Sequence, residues 1–129
     1  MAVPGVYNLI AETITTAITA QAFSAIDNLE GMTRVTFDAT FSGTGGSTAV
    51  ALIQSRMGSA GAWREIASID FAAAGSKSCT VVSTAATPAA FATLSANSVL
   101  NWLGTELRVV GTSTGTWSNG LLSVSAHVT

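Results

Sequence analysis

Between Met32 and Ser42 the chain alternates strictly: Val35, Phe37, Ala39 and Phe41 fall on one side, and Arg34, Thr36, Asp38 and Thr40 on the other. An extended strand is the backbone form that sends successive side chains to opposite faces. A stretch with one apolar and one polar face therefore demands a sheet buried on one side and wet on the other, which is the antiparallel pattern. The same period returns at the C-terminal end, where Leu122, Val124, Ala126 and Val128 share a face opposite His127.

Other segments follow the same rule with local interruptions. Val6 to Ala20 sets Thr13, Thr15, Ala17 and Thr19 against Ile14, Thr16, Ile18 and Ala20, a β-branched alternation. A helix from Asn8 to Phe23 is the competing reading, disfavoured by the Thr and Ile content. Asp27-Asn28 and Glu30-Gly31 are turn chemistry, and Gly43 to Gly46 is a loop. Gly45 to Ala72 then reads as a hairpin. Its first strand, Ser47 to Arg56, is apolar on both faces through Val50, Leu52 and Ile53 and so belongs in the middle of a sheet. Met57 to Gly61 turns the chain, and Trp63 to Ala72 returns it. In the return strand Trp63, Ala67, Ile69 and Phe71 share parity while Ile66 breaks it, and a bulge near Ile66 and Ala67 reconciles the two sets. Ala73 to Lys77 reads as a turn and Ser78 to Thr84 as a strand. Ala89 to Leu103 holds a short helix or a long loop: Val99, Trp102 and Leu103 have helical spacing, with Gly104 placed to cap it. Glu106 to Thr112 is a strand, Thr114 to Gly120 a turn with a strong Asn-Gly signal, and Leu121 to Val128 the last strand.

These elements predict an all-β fold, an antiparallel β-sandwich or jelly roll of about eight strands, with one short helix or long loop near 89–103. The 129 residues form a single domain, in which 1–20 supplies an N-terminal arm and first strand and 21–129 the β-sandwich. Met1 to Gly5 is expected to be an arm that orders on contact with a neighbour.

Composition mainly excludes. Charged residues make up 9% of the chain, against roughly 25% in ordinary domains, and Thr, Ser, Ala and Gly take their place. Two accounts fit: a surface packed against copies of itself or a larger assembly, or a Ser/Thr-rich pleated surface facing water. Net charge is −2, and the basic residues Arg34, Arg56, Arg64, Lys77 and Arg108 are scattered, so neither nucleic acid nor a membrane surface is an expected partner. Nothing resembles a secretion leader or a spanning segment, which points to synthesis in a cytoplasm. Cys79, the one cysteine, lies in a strand pattern and reads as a buried, inert thiol.

No catalytic constellation is legible, and the chain is read as a non-enzyme without cofactor or metal. His127 has no second histidine and no local acid or thiol cluster for a metal. Asp38, Glu65 and Asp70 fall on strands expected to be neighbours; pairing with Arg34, Arg64 or Arg108 is the simpler use of such carboxylates than glycoside hydrolysis. The serines lack a Gly-x-Ser-x-Gly context, and Gly43 to Gly46 lacks the Lys-Ser/Thr of a phosphate loop. Trp63, Trp102 and Trp117 suit a sugar platform, but core edges or interface plugs are the commoner use of indoles, and Trp63 reads as a core anchor.

Several of these residues carry a family likeness. Gly45-Gly46-Ser47-Thr48, then Gln54-Ser55-Arg56, the glycine turn Gly58 to Gly61, and Trp63, Ile66, Ala67 and Phe71 together resemble a pattern in small structural proteins of tailed bacteriophages and prophages. Gly104-Thr105-Glu106-Leu107-Arg108-Val109 and Ser113-Thr114-Gly115-Thr116-Trp117 resemble further motifs of that group. The likeness spans about the last two-thirds of the chain, and Met57-Gly58 stands where the family usually carries an Asp. The resemblance implies a virion protein, best placed as a capsid decoration or cement protein on the phage head, assembled in the host cytoplasm. Its partners would be the major capsid protein and further copies of itself, as a homotrimer by analogy with shell symmetry. A tail, neck or fibre component is the alternative slot, and a glycan-binding module the alternative class. The expected interface residues are Val6, Tyr7, Leu9, Ile10, Trp102 and Trp117, with the arm from Met1 to Ile10 adding a strand to a neighbour's sheet.

Overall fold

The computed structural model describes residues 4–15, 17–23, 25–84 and 93–129. Eight strands form in order: β1 (Gly5–Thr13), β2 (Ile18–Ala22), β3 (Arg34–Phe41), β4 (Thr48–Arg56), β5 (Arg64–Phe71), β6 (Gly75–Val82), β7 (Glu106–Thr114) and β8 (Leu121–Val128). They make two four-stranded sheets, ordered β1-β8-β3-β6 and β2-β7-β4-β5, packed face to face as a sandwich. Every pairing is antiparallel, and β1 pairs with β8, β2 with β7, β3 with β6 and β4 with β5. First with last, second with second-last and so inward is the order of a jelly roll: a long hairpin ribbon wrapped so that alternate pairs land in opposite sheets.

The core is the set of inward positions that alternation marks. Val35, Phe37, Ala39 and Phe41 of β3 face Ala49, Ala51 and Ile53 of β4, with Val109 of β7 and Leu122, Val124, Ala126 and Val128 of β8. Two bulges enlarge it. Ile53 pairs with Ala67 but Gln54 pairs with Glu65, so Ile66 is the extra residue, and both Ile66 and Ala67 are buried, as the broken parity required. In β1 the register slips between Asn8 and Ile10, and the unpaired Leu9 is buried together with Ile10. At each bulge one added residue turns two consecutive apolar side chains inward, which a regular strand cannot do.

Two sequence expectations are corrected. The alternation from Val6 to Ala20 is not one strand: it breaks after Thr13, and the chain crosses from the first sheet to the second before Ile18. Thr and Ile suit either sheet, so the crossing leaves no compositional mark. Ser98 to Leu103 is not helical; Val99 bridges Ala67, the Leu100 N–H donates to the Ile66 carbonyl at 2.8 Å, and the Ser68 N–H to the Ser98 carbonyl at 3.0 Å. The open edge of β5 offers backbone partners that a short helix would forgo. Gly104 accordingly caps no helix: a Cβ there would lie 2.1 Å from the Arg56 carbonyl oxygen, so glycine permits a close backbone crossing. The expected turn at Ala73 to Lys77 is shorter, because β6 already starts at Gly75. The expected arm before Pro4 and the Ala89 to Ala92 part of the expected helix or loop lie outside the described residues.

The connections gather at two ends. At one, Trp117 inserts between the β1–β2, β3–β4 and β7–β8 connections. Its backbone N–H donates to the Thr15 carbonyl at 2.8 Å, its ring meets Phe41 edge-on at 4.8 Å, and Gly46 lies flat against the indole. Asn119, in the left-handed region at φ 55°, makes the tight turn that Asn-Gly forecast. The other end carries the β2–β3, β4–β5 and β6–β7 connections.

Candidate functional site

Trp63 sits at this second end, on the outer face of the β2-β7-β4-β5 sheet. Alternation points Gln54 and Arg56 of β4, and Glu106 and Arg108 of β7, away from the core. The register sets Gln54 opposite Arg108 and Arg56 opposite Glu106. Both guanidinium carbons lie 4.4 Å from the Trp63 ring centroid, within cation–π range. Arg56 donates from Nε and Nη2 to Glu106 Oε1, at 3.1 and 2.9 Å. Arg108 donates from Nε to Gln54 Oε1 at 2.8 Å. Burial first, and then the Arg56 charge, lowers the Arg108 guanidinium from its ordinary value; it remains a cation at any physiological pH. Trp63 is thus a half-buried wall for two cations rather than the core anchor expected from its strand pattern. The constellation was missed because alternation fixes which face each residue occupies but not which strands become neighbours.

The carboxylates are dispersed. Asp38 is exposed on β3 of the other sheet, so it does not join Glu65 and Asp70 of β5. Glu65 Oε1 accepts the Leu94 N–H at 2.8 Å, and Asp70 Oδ1 accepts the Ser68 hydroxyl at 2.7 Å and the Asn97 N–H at 3.3 Å. Both acids moor the segment after residue 92 to β5. Among the described residues Arg56 of β4 forms a cross-strand ion pair with Glu106 of β7. Among the described residues no group of three His, Cys, Asp or Glu side chains converges to hold a metal, and His127 is exposed beside Val6 and Thr36.

A pocket of about 380 Å³ opens between β5 and β6, lined in part by Ile69, Lys77, Cys79, Asn97 and Val99. Lys77 crosses its mouth, donating to the Asp70 carbonyl and to Asn97 Oδ1. Burial pushes the Cys79 thiol up.

The expected interface residues divide. Leu9, Ile10 and Trp117 pack into the chain's own core, Trp117 at 3% exposure. Tyr7 and Trp102 are half-buried against that core. Val6 remains outward at 74% exposure. The arm expected from Met1 to Ile10 is, from Gly5 onward, a strand of its own sheet, paired with β8 on one side and at the sheet edge on the other.

No protein-family model matches the chain, and a search of curated proteins returns no match.

Proposed function

We propose that this protein is a structural component of a bacteriophage particle, a decoration or cement protein that binds the outside of the head and stabilises the shell. Its partners in this reading are the major capsid protein and further copies of itself, grouped as a trimer, with assembly in the host cytoplasm. The motifs of the hairpin from Gly45 and of the last two strands supply the likeness. The jelly-roll strand order, which recurs in viral capsid and lectin domains, adds a fold-level analogy.

The observation that carries the reading is the edge strand β1. It spans nine residues, is uncharged from Gly5 to Ala11, and exposes Val6 at 74%. Such an edge presents unpaired backbone groups on which a neighbouring strand can add. The mechanism is binding energy: each copy adds contacts that must break before the shell opens. Glycan binding gains no matching support, because Trp117 is buried and Trp63 is stacked against two guanidiniums.

The test is to mix purified protein with heads that lack it. Saturable binding, with a higher temperature of genome release, is the expected result. Absence of both overturns the reading, and label found on tails by electron microscopy moves the protein to a tail, neck or fibre slot.

A further inference from the structure

The Trp63 corner holds a guanidinium that no carboxylate answers. Arg56 and Arg108 face one indole, and Glu106 answers Arg56 alone. All seven carboxylate side chains of the chain belong to described residues, and none of them pairs with Arg108. Glu65, opposite Gln54 on the next strand, gives Oε1 to the Leu94 N–H instead. Arg108 is thus a cation without a carboxylate of its own, in a chain where charged residues are scarce.

The geometry points to a binding site for one carboxylate, taken by the outer edge of the Arg108 guanidinium with Trp63 as its wall. Gln54 holds Nε and the indole holds the guanidinium plane, which leaves the two Nη groups without a hydrogen bond among the described residues. A guanidinium fixed in this way keeps the planar fork that fits a carboxylate through two parallel hydrogen bonds. Little side-chain entropy remains to be lost on binding, because the rotamer is already set by Gln54 and Trp63. A monoanion matches the one unanswered guanidinium, whereas a phosphate dianion brings a second negative charge beside Glu106. The carboxylate can come from an acidic side chain of a protein or from a small free acid. The assignment stands apart from the phage-particle reading and survives its failure.

The experiment is an NMR titration of isotope-labelled protein at constant ionic strength. The probes are the Trp63 indole N–H, assigned by its loss in Trp63→Phe, and the Arg108 Nε–H. The ligands are acetate, inorganic phosphate, and capped Gly-Glu-Gly and Gly-Gln-Gly peptides. Saturable shifts with acetate and the Glu peptide are expected, with no response to the Gln peptide. Tighter binding of the Glu peptide than of acetate identifies a protein side chain as the source, and the reverse identifies a small acid. Arg108→Gln should abolish the shifts, Arg108→Lys, which keeps the charge but not the fork, should weaken them about tenfold, and Arg34→Gln, on the other sheet, should leave them unchanged. If Arg108→Gln does not fold, the Lys variant decides alone. Non-saturable shifts, tighter binding of phosphate than of acetate, or binding unchanged in Arg108→Lys overturns the assignment.

Discussion

Ser55 is the sharpest probe of how the second end is held together. It occupies an inward position of β4 at 0% exposure, where its neighbours in the alternation are Ala51 and Ile53. Its hydroxyl donates to the Glu106 carbonyl at 2.8 Å and accepts the Gly104 N–H at 2.9 Å. Ser55→Ala removes one oxygen and leaves two buried backbone groups short of a partner. Leaving such a group unsatisfied costs about 1–3 kcal/mol. The Glu106 carbonyl lies in the ladder with β4 and Gly104 is tightly enclosed, so the lower half of the doubled range applies, about 2–4 kcal/mol. For a domain of this size that lowers the Tm by about 6–12 °C. The matched control is Ser42→Ala: its hydroxyl also links two backbone groups, the Asn119 carbonyl at 2.6 Å and the Leu121 N–H at 3.2 Å, but it is exposed. Water replaces what that alanine removes, and the expected cost is under about 0.5 kcal/mol. Urea and thermal unfolding, followed by circular dichroism and by tryptophan fluorescence, measure both variants. A Ser55→Ala loss no larger than that of Ser42→Ala refutes the reasoning.

Three further outcomes follow from the same structure. Gly46→Ala puts a Cβ 2.2 Å from Trp117 Cε2, so the indole must move; thermal melts should show a loss of about 1–3 kcal/mol, with a changed Trp117 environment in near-ultraviolet circular dichroism. Val6→Lys places a charge on the exposed edge of β1 and should weaken binding to phage heads while leaving the Tm within about 2 °C, since surface changes rarely exceed 0.5 kcal/mol. Burial raises the folded Cys79 pKa, so the folded chain keeps its proton where an unfolded thiol ionises; stability contributed by that thiol is complete below about pH 8.5 and is lost as pH rises toward the folded value. Alkylation by iodoacetamide at pH 9 should accordingly be much slower in the native protein than in urea, and equal rates would contradict the burial.

The architecture was legible to the extent that it depends on periodicity. Phe37 and Val124 announce their faces without any tertiary information, and the clash between Ile66 and Ala67 located a bulge because only an extra residue buries both. Leu9 and Ile10 pose the same problem without declaring a bulge, since a bulge and a sticky edge look alike until β8 is known to be the neighbour. The helical spacing of Val99, Trp102 and Leu103 misled for a related reason: the free edge of β5 decides that segment, and no local signal reports it. The site was invisible because Arg56 comes from β4, Arg108 from β7 and Trp63 from the connection just before β5, and their meeting depends on the order β7-β4-β5.

The sparse charge takes on a definite meaning once the faces are known. The outer face of the β1-β8-β3-β6 sheet carries Thr36, Asp38, Thr40, Ser123, Ser125 and His127. Thr36 and Thr80 share a hydroxyl–hydroxyl bond there at 3.1 Å, as Thr48 and Thr114 do on the second sheet at 2.8 Å. Such rows satisfy one another and water without ions, and Thr favours the pleated backbone. Among the described residues the exposed large apolar side chains, Val6, Met57, Val99 and Leu121, fall on different strands and connections rather than in one patch. A Ser/Thr-rich pleated surface therefore accounts for the first sheet's outer face with no need of a covering partner. Three of the five basic residues tie or hold something: Lys77 straps β6 to β5, Arg56 locks β4 to β7, and Arg108 is fixed with its fork open. The surfaces proposed for recognition are the uncharged β1 edge and the Arg108 corner. These lie on different sheets, so a partner strand on one leaves the other free.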